Sequence, residues 1–403
     1  MGSMSRKLLQ YQQNQLCFGL NPKPLQNFVK NYDRPVIVYD LDIIKERIGW
    51  IQRWAGLGKL HFAVKANFHP RILRTIKEAG CGADVVSVGE IKRAVECGFQ
   101  MSDIIFSGVG KSREELSWAI EREIYQINVE SISELKKIIQ ISKSLNKEVN
   151  LGLRINPEVD AETHKSISTA LKDSKFGLDF ETGRECIRLI AAAESVNLKS
   201  LSFHLGSQIL NVSVYEKAIR VMRPYFEDAK KICPELDRMD LGGGIGIDYH
   251  DADSEQDERR WAALQSLYEK ELKGFQATFL LEIGRFLTAR SGVLISRIEI
   301  IKNTPAKKFL ILDAGMTHIM RPALYDAFHR IMPLQLKEGA KQTYDVVGPI
   351  CESTDVLGSD REITPVSEEE FVAICDVGAY GSVMASDYNL RDRVLEVFIQ
   401  DYC

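Results

Sequence analysis

Lys65 closes the apolar run KLHFAVKA (59–66), which places an amine where a strand-like stretch gives out. Such a lysine most often lays its stem along apolar surface and keeps its charge in water. The alternative is a nucleophilic amine delivered by a rigid element. Other runs end in groups of comparable promise: Arg154 and Asn156 in VNLGLRINP (149–157), His204 and Ser207 in LSFHLGSQ (201–208), Gly242, Gly243 and Gly244 in RMDLGGGIG (238–246), and Glu282 with Arg285 in TFLLEIGR (278–285). Singly these are weak signals. A histidine in an apolar strand is usually a hydrogen-bonded core residue, and Glu282 with Arg285 spells no more than an ion pair. Consecutive glycines make a tight turn or, with no side chains in the way, a backbone cradle for an anion.

Together, an amine, an imidazole, an anion cradle and a carboxylate suit pyridoxal 5′-phosphate. Its aldehyde takes a lysine, its phosphate takes backbone donors, its flat ring takes a stacking partner, and its ring nitrogen takes a carboxylate that keeps it protonated. Lys65, the 242–244 loop, His204 and Glu282 fill these four roles. A protonated ring nitrogen makes a strong electron sink, which favours loss of a group from the substrate's α-carbon.

The elements that must position these groups repeat along the chain. Short apolar runs at 59–66, 84–88, 104–109, 125–130, 149–157, 201–208, 238–246 and 278–285 alternate with stretches such as PRILRTIKEAG and SISELKKIIQISKSLNK, whose apolar residues fall three and four apart. Strands that read as continuously apolar are buried on both faces, as in parallel sheets. The pattern predicts an α/β fold, a (β/α)8 TIM barrel over 41–285, with its active site at the C-terminal ends of the strands. After Arg285 strands follow with few helices between them, which predicts a mainly β domain over 286–403, joined by the N-terminal segment 4–40 through RPVIVYD (34–40). The long polar stretch 156–177 reads as a functional loop.

Composition narrows the partners. The chain has 403 residues and a formal charge of −4, with 52 basic and 56 acidic residues dispersed along it. No basic block suits a phosphodiester backbone, so neither nucleic acid nor an anionic membrane is expected as a partner. No apolar run reaches the roughly 18 residues of a membrane span, and no leader pattern opens the chain. The 8 cysteines stand singly, without metal-ligand spacing or a disulfide framework. No metal site is expected, and a reducing cytoplasm fits.

The motifs FAVKAN (62–67), SVGE (87–90), SGVGKS (107–112), NVES (128–131), THKSISTALKDSKFG (163–177), FHLGSQI (203–209), LGGGIG (241–246), RPALYDA (321–327), GPICES (348–353) and GAYG (378–381) occur in an order that resembles the diaminopimelate decarboxylases, within the alanine racemase-like fold of pyridoxal-phosphate enzymes. The resemblance implies decarboxylation of meso-2,6-diaminopimelate to L-lysine and carbon dioxide. It implies Lys65 as the Schiff-base lysine, His204 as the stacking imidazole and Glu282 as the ring-nitrogen partner. It implies phosphate contacts from Ser207, Gly243, Gly244, the backbone of Gly284 and Arg285, and the Tyr380 hydroxyl. Arg285, Arg321, Tyr325 and Tyr380 would bind the substrate, chiefly its distal carboxylate, and Glu352 its distal ammonium. Cys351 would return a proton to the α-carbon. Cys351 and Glu352 would reach the neighbouring subunit's site, which implies a homodimer. The chain departs from the family pattern at Ala170, Ile283, Asp387 and Asp392. The competing readings are a related decarboxylase for another diamino acid or a modified amino acid, a silent regulator on the same fold, and a barrel for some other phosphorylated metabolite.

Overall fold

The computed structural model describes residues 7–29, 32–159, 174–251 and 254–402. Most of the expected loop 156–177, with Ala170 in it, lies outside the described residues.

Eight parallel strands close a barrel: β1 (Leu57–Ala63), β2 (Gly82–Val85), β3 (Ile104–Phe106), β4 (Gln126–Val129), β5 (Val149–Arg154), β6 (Val196–Ser202), β7 (Arg238–Asp240) and β8 (Thr278–Ile283). Each pairs with the next in sequence, and β8 returns to β1 with Glu282 opposite His61. The TIM-barrel expectation holds, with shifted edges. β1 stops at Ala63, and Lys65 sits in the 3-10 turn Val64–Ala66 beyond it. β2 ends before the VSV of the apolar run because Ser87 caps the next helix, its hydroxyl accepting from the Glu90 N–H. β6 begins five residues before Leu201; its half-exposed Asn197 and Lys199 break up the apolar run, and HLGSQ is loop.

The connecting helices start where local chemistry supplies caps. His69 accepts from the Arg71 N–H ahead of Pro70–Glu78, Ser112 and Glu115 form a reciprocal capping box at Arg113–Glu121, and Asp179 caps Phe180–Ala191. Pro70–Glu78 turns Ile72, Leu73 and Ile76 inward, the spacing of one helical face.

The chain divides into two compact units. The described residues of 48–246 and 259–284 form the barrel unit, and those of 1–47, 247–258 and 285–403 form the second. In the second unit the long strand Gly292–Asn303 pairs antiparallel with Val36–Tyr39, Lys308–Leu312 and Phe371–Ile374. Val36–Tyr39 also pairs parallel with Leu395–Phe398. Leu16, Phe18, Leu25, Phe28, Val38 and Val293 form part of the core under this sheet.

The segment 247–258 groups with the second unit although it follows the glycine loop in sequence. A buried ion network holds it there. Asp257 takes Arg47 at 2.6 Å and Arg290 at 2.9 Å, and Asp376 takes Arg290 and Arg330 each at 3.1 Å. Among the described residues no helix is long and apolar enough to cross a membrane, and no cluster of metal-binding side chains occurs.

Candidate active site

At the mouth of the barrel the Lys65 amine lies 3.6 Å from an Asp84 carboxylate oxygen. Asp84, Asp240 and Glu282, on β2, β7 and β8, are all buried. Both oxygens of Asp84 and Oδ2 of Asp240 have no hydrogen-bond partner among the described residues. Three carboxyls in one buried space cannot all ionise cheaply. Burial and the charges of Asp240 and Asp84 push Glu282 well above the usual carboxylate range, and burial raises Asp240 to about 6. Glu282 is oriented by Asn128, whose Nδ2 donates to its Oε1 at 3.3 Å; Gln126 in turn donates to Asn128 Oδ1 at 2.8 Å. The Asp240 Oδ1 accepts the Gly242 N–H at 2.8 Å, which starts the glycine turn.

The turn is built for close backbone approach. Gly244 has φ +96°, and a Cβ there would collide with the Gly206 carbonyl oxygen. Gly243 donates to His204 Nδ1 at 3.3 Å, which leaves the ring proton on Nε2. Burial, with the charges of Arg154 and Lys65, holds His204 well below its ordinary range, so the ring is neutral. The Gly244 N–H has no acceptor among the described residues. Ser207 lies in the loop after β6, next in sequence to Gly206, whose carbonyl faces Gly244. Gly284 packs against the turn that carries Lys65, because a Cβ there would stand 2.9 Å from that of Ala66.

These groups fit pyridoxal phosphate. The amine, the neutral ring, the unspent amide and the surplus of buried carboxyls answer its aldehyde, its pyridine face, its phosphate and its ring nitrogen. The carboxyl surplus is the strongest of these observations, since it favours a cation beside Glu282.

The second unit gathers another set. Arg285 and Arg321 are buried at 8% and 5% exposure. Arg285 Nη1 donates to the Tyr249 hydroxyl at 2.9 Å, and its guanidinium lies 4.7 Å from the Tyr380 ring centre. Arg321 lies 4.4 Å over the Tyr249 ring and donates from Nη1 to His329 Nε2 at 2.7 Å. Tyr325 lies close enough to act electrostatically on both arginines. Burial and the Arg285 charge hold Arg321 below its ordinary value. Arg321 makes no ion pair with a carboxylate among the described residues. Two buried guanidiniums lined by tyrosines make an anion receptor.

Cys351 and Glu352 stand apart from this set. Both are exposed, and no hydrogen bond or ion pair among the described residues joins them to Arg285, Arg321 or Tyr380. Their loop is nonetheless splinted. Cys351 N–H donates to Asn389 Oδ1 at 2.8 Å, and Asp355 accepts from the N–H groups of Met316 and Ile350 at 2.6 and 2.8 Å. The departures in the tail make contacts of their own. Asp387 pairs with Arg393 at 2.7 Å, and the Asp392 carbonyl accepts from His318 Nε2 at 3.0 Å. Ile283 is a buried residue of β8.

Asp84, Asp240, Tyr249 and His329 are not legible as site residues in the sequence. The first two give a faint signal, a charged residue inside an otherwise apolar strand; Tyr249 and His329 give none.

Residues 41–289 match the family model described as the pyridoxal binding domain of pyridoxal-dependent decarboxylases. The diaminopimelate decarboxylase of Aquifex aeolicus is 36% identical, covering 94% of this chain and 89% of its own. That of Zymomonas mobilis is 38% identical over 93% and 90%. The crystal structure of the Helicobacter pylori diaminopimelate decarboxylase complexed with L-lysine aligns with a TM-score of 0.88 at 35% identity, covering 93% of this chain and 94% of that one.

Proposed function

Since this chain belongs to the diaminopimelate decarboxylase family of pyridoxal-dependent enzymes, we infer that it converts meso-2,6-diaminopimelate to L-lysine and carbon dioxide. The single observation that carries the substrate assignment is the second anion receptor. A decarboxylase for a simple diamine precursor has one carboxylate to handle, the one that leaves. Buried Arg285 and Arg321 suit a second carboxylate that stays.

When bound, pyridoxal phosphate supplies the electron sink that stabilises negative charge at the substrate's α-carbon. The residues of the chain do the rest. Lys65 Nζ would hold the cofactor through its aldehyde. Glu282 would favour a proton on the ring nitrogen, since a neighbouring cation would relieve the crowding among Glu282, Asp240 and Asp84. His204, neutral and fixed by the Gly243 amide, would stack on the ring. Ser207, the Gly243 and Gly244 amides, the backbone of Gly284 and Arg285, and the Tyr380 hydroxyl would hold the phosphate. Arg285, Arg321 and Tyr325, with Tyr380, bind the distal carboxylate. Glu352 takes the distal ammonium, and Cys351 Sγ returns a proton to the α-carbon. Cys351 and Glu352 are exposed and make no hydrogen bond or ion pair to Arg285 or Arg321 among the described residues, which favours a homodimer in which they serve the partner's site. The cytoplasm is the proposed compartment, in keeping with cysteines that are all free among the described residues.

The test is direct: supply pyridoxal phosphate with meso-diaminopimelate, ornithine, arginine or lysine and measure carbon dioxide from each. Release from diaminopimelate alone is expected. Release from lysine or ornithine in its place overturns the substrate assignment, and release from none of them favours a silent protein.

A further inference from the structure

We propose that Tyr249 and His329 are positioning residues that set the Arg285 and Arg321 guanidiniums in advance and so determine selectivity for a substrate with a distal carboxylate. This deepens the reading of that arginine pair as the carboxylate receptor and rests on it.

Two guanidiniums in one buried space repel each other, and each side chain has many rotamers to lose. A receptor of this kind works well only when both forks are held before the ligand arrives. Tyr249 touches both. Its hydroxyl accepts from Arg285 Nη1 at 2.9 Å, and its ring face lies 4.4 Å from the Arg321 guanidinium. The negative face of an aromatic ring offsets part of the repulsion.

His329 holds the far side. Its Nδ1 faces the Cys375 carbonyl oxygen at 2.7 Å, and a carbonyl only accepts, so Nδ1 carries the proton. Nε2 is therefore the acceptor of the Arg321 Nη1–H at 2.7 Å. The tautomer is fixed by its two partners, and the buried ring, beside Arg321, stays uncharged near neutral pH. The His329 ring also packs edge-on against Tyr249, with centres 5.1 Å apart. Tyr249 and His329 thus form one bracket around Arg321. The Nε of Arg321 is buried and has no partner among the described residues, a donor left unspent by the bracket.

The bracket is itself anchored. Arg290 donates to the carbonyls of Asp248 at 2.8 Å and Asp251 at 2.7 Å, on either side of Tyr249, and to the Asp257 carboxylate at 2.9 Å. The segment that carries Tyr249 is thereby fastened to the same unit as both arginines.

L-Lysine and 1,5-diaminopentane differ only by a carboxylate, so their relative affinity reads the receptor directly. Their inhibition constants are measured on the cofactor-loaded wild type and on Tyr249→Phe, His329→Phe and His329→Gln, with cofactor absorbance recorded for each. Wild type is expected to favour lysine. Tyr249→Phe and His329→Phe are each expected to lower that preference about tenfold, the loss of one hydrogen bond to a charged group. KM for meso-diaminopimelate is expected to rise by a similar factor, with kcat changed less than about twofold and cofactor absorbance unchanged. His329→Gln, which can still accept from Arg321, is expected to recover part of the preference. If wild type binds both ligands equally, the carboxylate-receptor reading itself fails, and the inference falls with it. If wild type favours lysine but both phenylalanine variants keep that preference, or weaken both ligands alike, only the positioning inference is overturned. Should His329→Phe not fold, Tyr249→Phe decides.

Discussion

The Lys65 amine and the Asp84 carboxylate face each other at 3.6 Å across the strand ends of the barrel, joining a half-exposed cation to a buried anion. The ion pair draws the amine toward the end of β2. Lys65→Ala is expected to abolish both turnover and the absorbance of the lysine-linked cofactor. Asp84→Asn is expected to keep that absorbance and lower turnover about tenfold through misplacement of the amine. Spectra and carbon dioxide release on the same samples separate the two effects.

Asp240 is raised from its ordinary 3.8 to about 6, and Glu282 is raised well above the usual carboxylate range, both first by burial. The folded state therefore holds protons that the unfolded chain has released. Stability from this pair is greatest below about pH 4 and declines as pH rises through 6 and beyond. The thermal midpoint of the cofactor-free protein should fall between pH 5 and pH 7 for this reason, and Asp240→Asn should flatten the fall. An unchanged slope in the variant would contradict the coupling of the two carboxyls.

Gly244→Ala places a Cβ against the Gly206 carbonyl at a φ of +96°. The strain is expected to cost about 1–3 kcal/mol, and the displaced amide should weaken cofactor retention. Dialysis of wild type and variant followed by absorbance gives the comparison. Equal retention would remove Gly244 from the proposed phosphate cradle.

Breaking the buried network at Arg290 removes one of the two arginines from Asp376, which keeps Arg330, and one from Asp257, which keeps Arg47. Arg290→Met should destabilise the second unit by about 3–5 kcal/mol, read from denaturant unfolding. It should also raise KM, because the segment bearing Tyr249 loses its anchor.

Lys65→Ala and Cys351→Ala, each inactive or slow alone, should complement when the two chains are mixed and allowed to exchange. If the site is shared across a two-fold dimer, random pairing restores about a quarter of wild-type activity, since half of the dimers are mixed and one of their two sites is intact. No recovery after verified exchange would place Cys351 in the site of its own chain.

Several parts of this molecule are legible in its amino-acid sequence. The apolar runs ending in Lys65, the 242–244 glycines and Glu282 lie in single stretches of chain, so their strand, turn and chemistry can be read together. The end of the second strand is harder to read, because VSV looks like strand until Ser87 is seen to cap a helix. The start of the sixth is hidden because Asn197 and Lys199 interrupt an otherwise buried run.

The barrel, the cofactor and the position of Lys65 at the barrel mouth are thus legible in the sequence, because each depends on local periodicity and on residue types at strand ends. Which groups face one another is decided only by tertiary structure. Asp84, Asp240 and Glu282 become one crowded set because the barrel closes β8 onto β1. Tyr249 joins Arg285, Arg321 and His329 in one contacting set because Arg290 fastens the segment that carries it to the same unit. Such sets depend on the packing of elements far apart in the chain, and no local pattern encodes them.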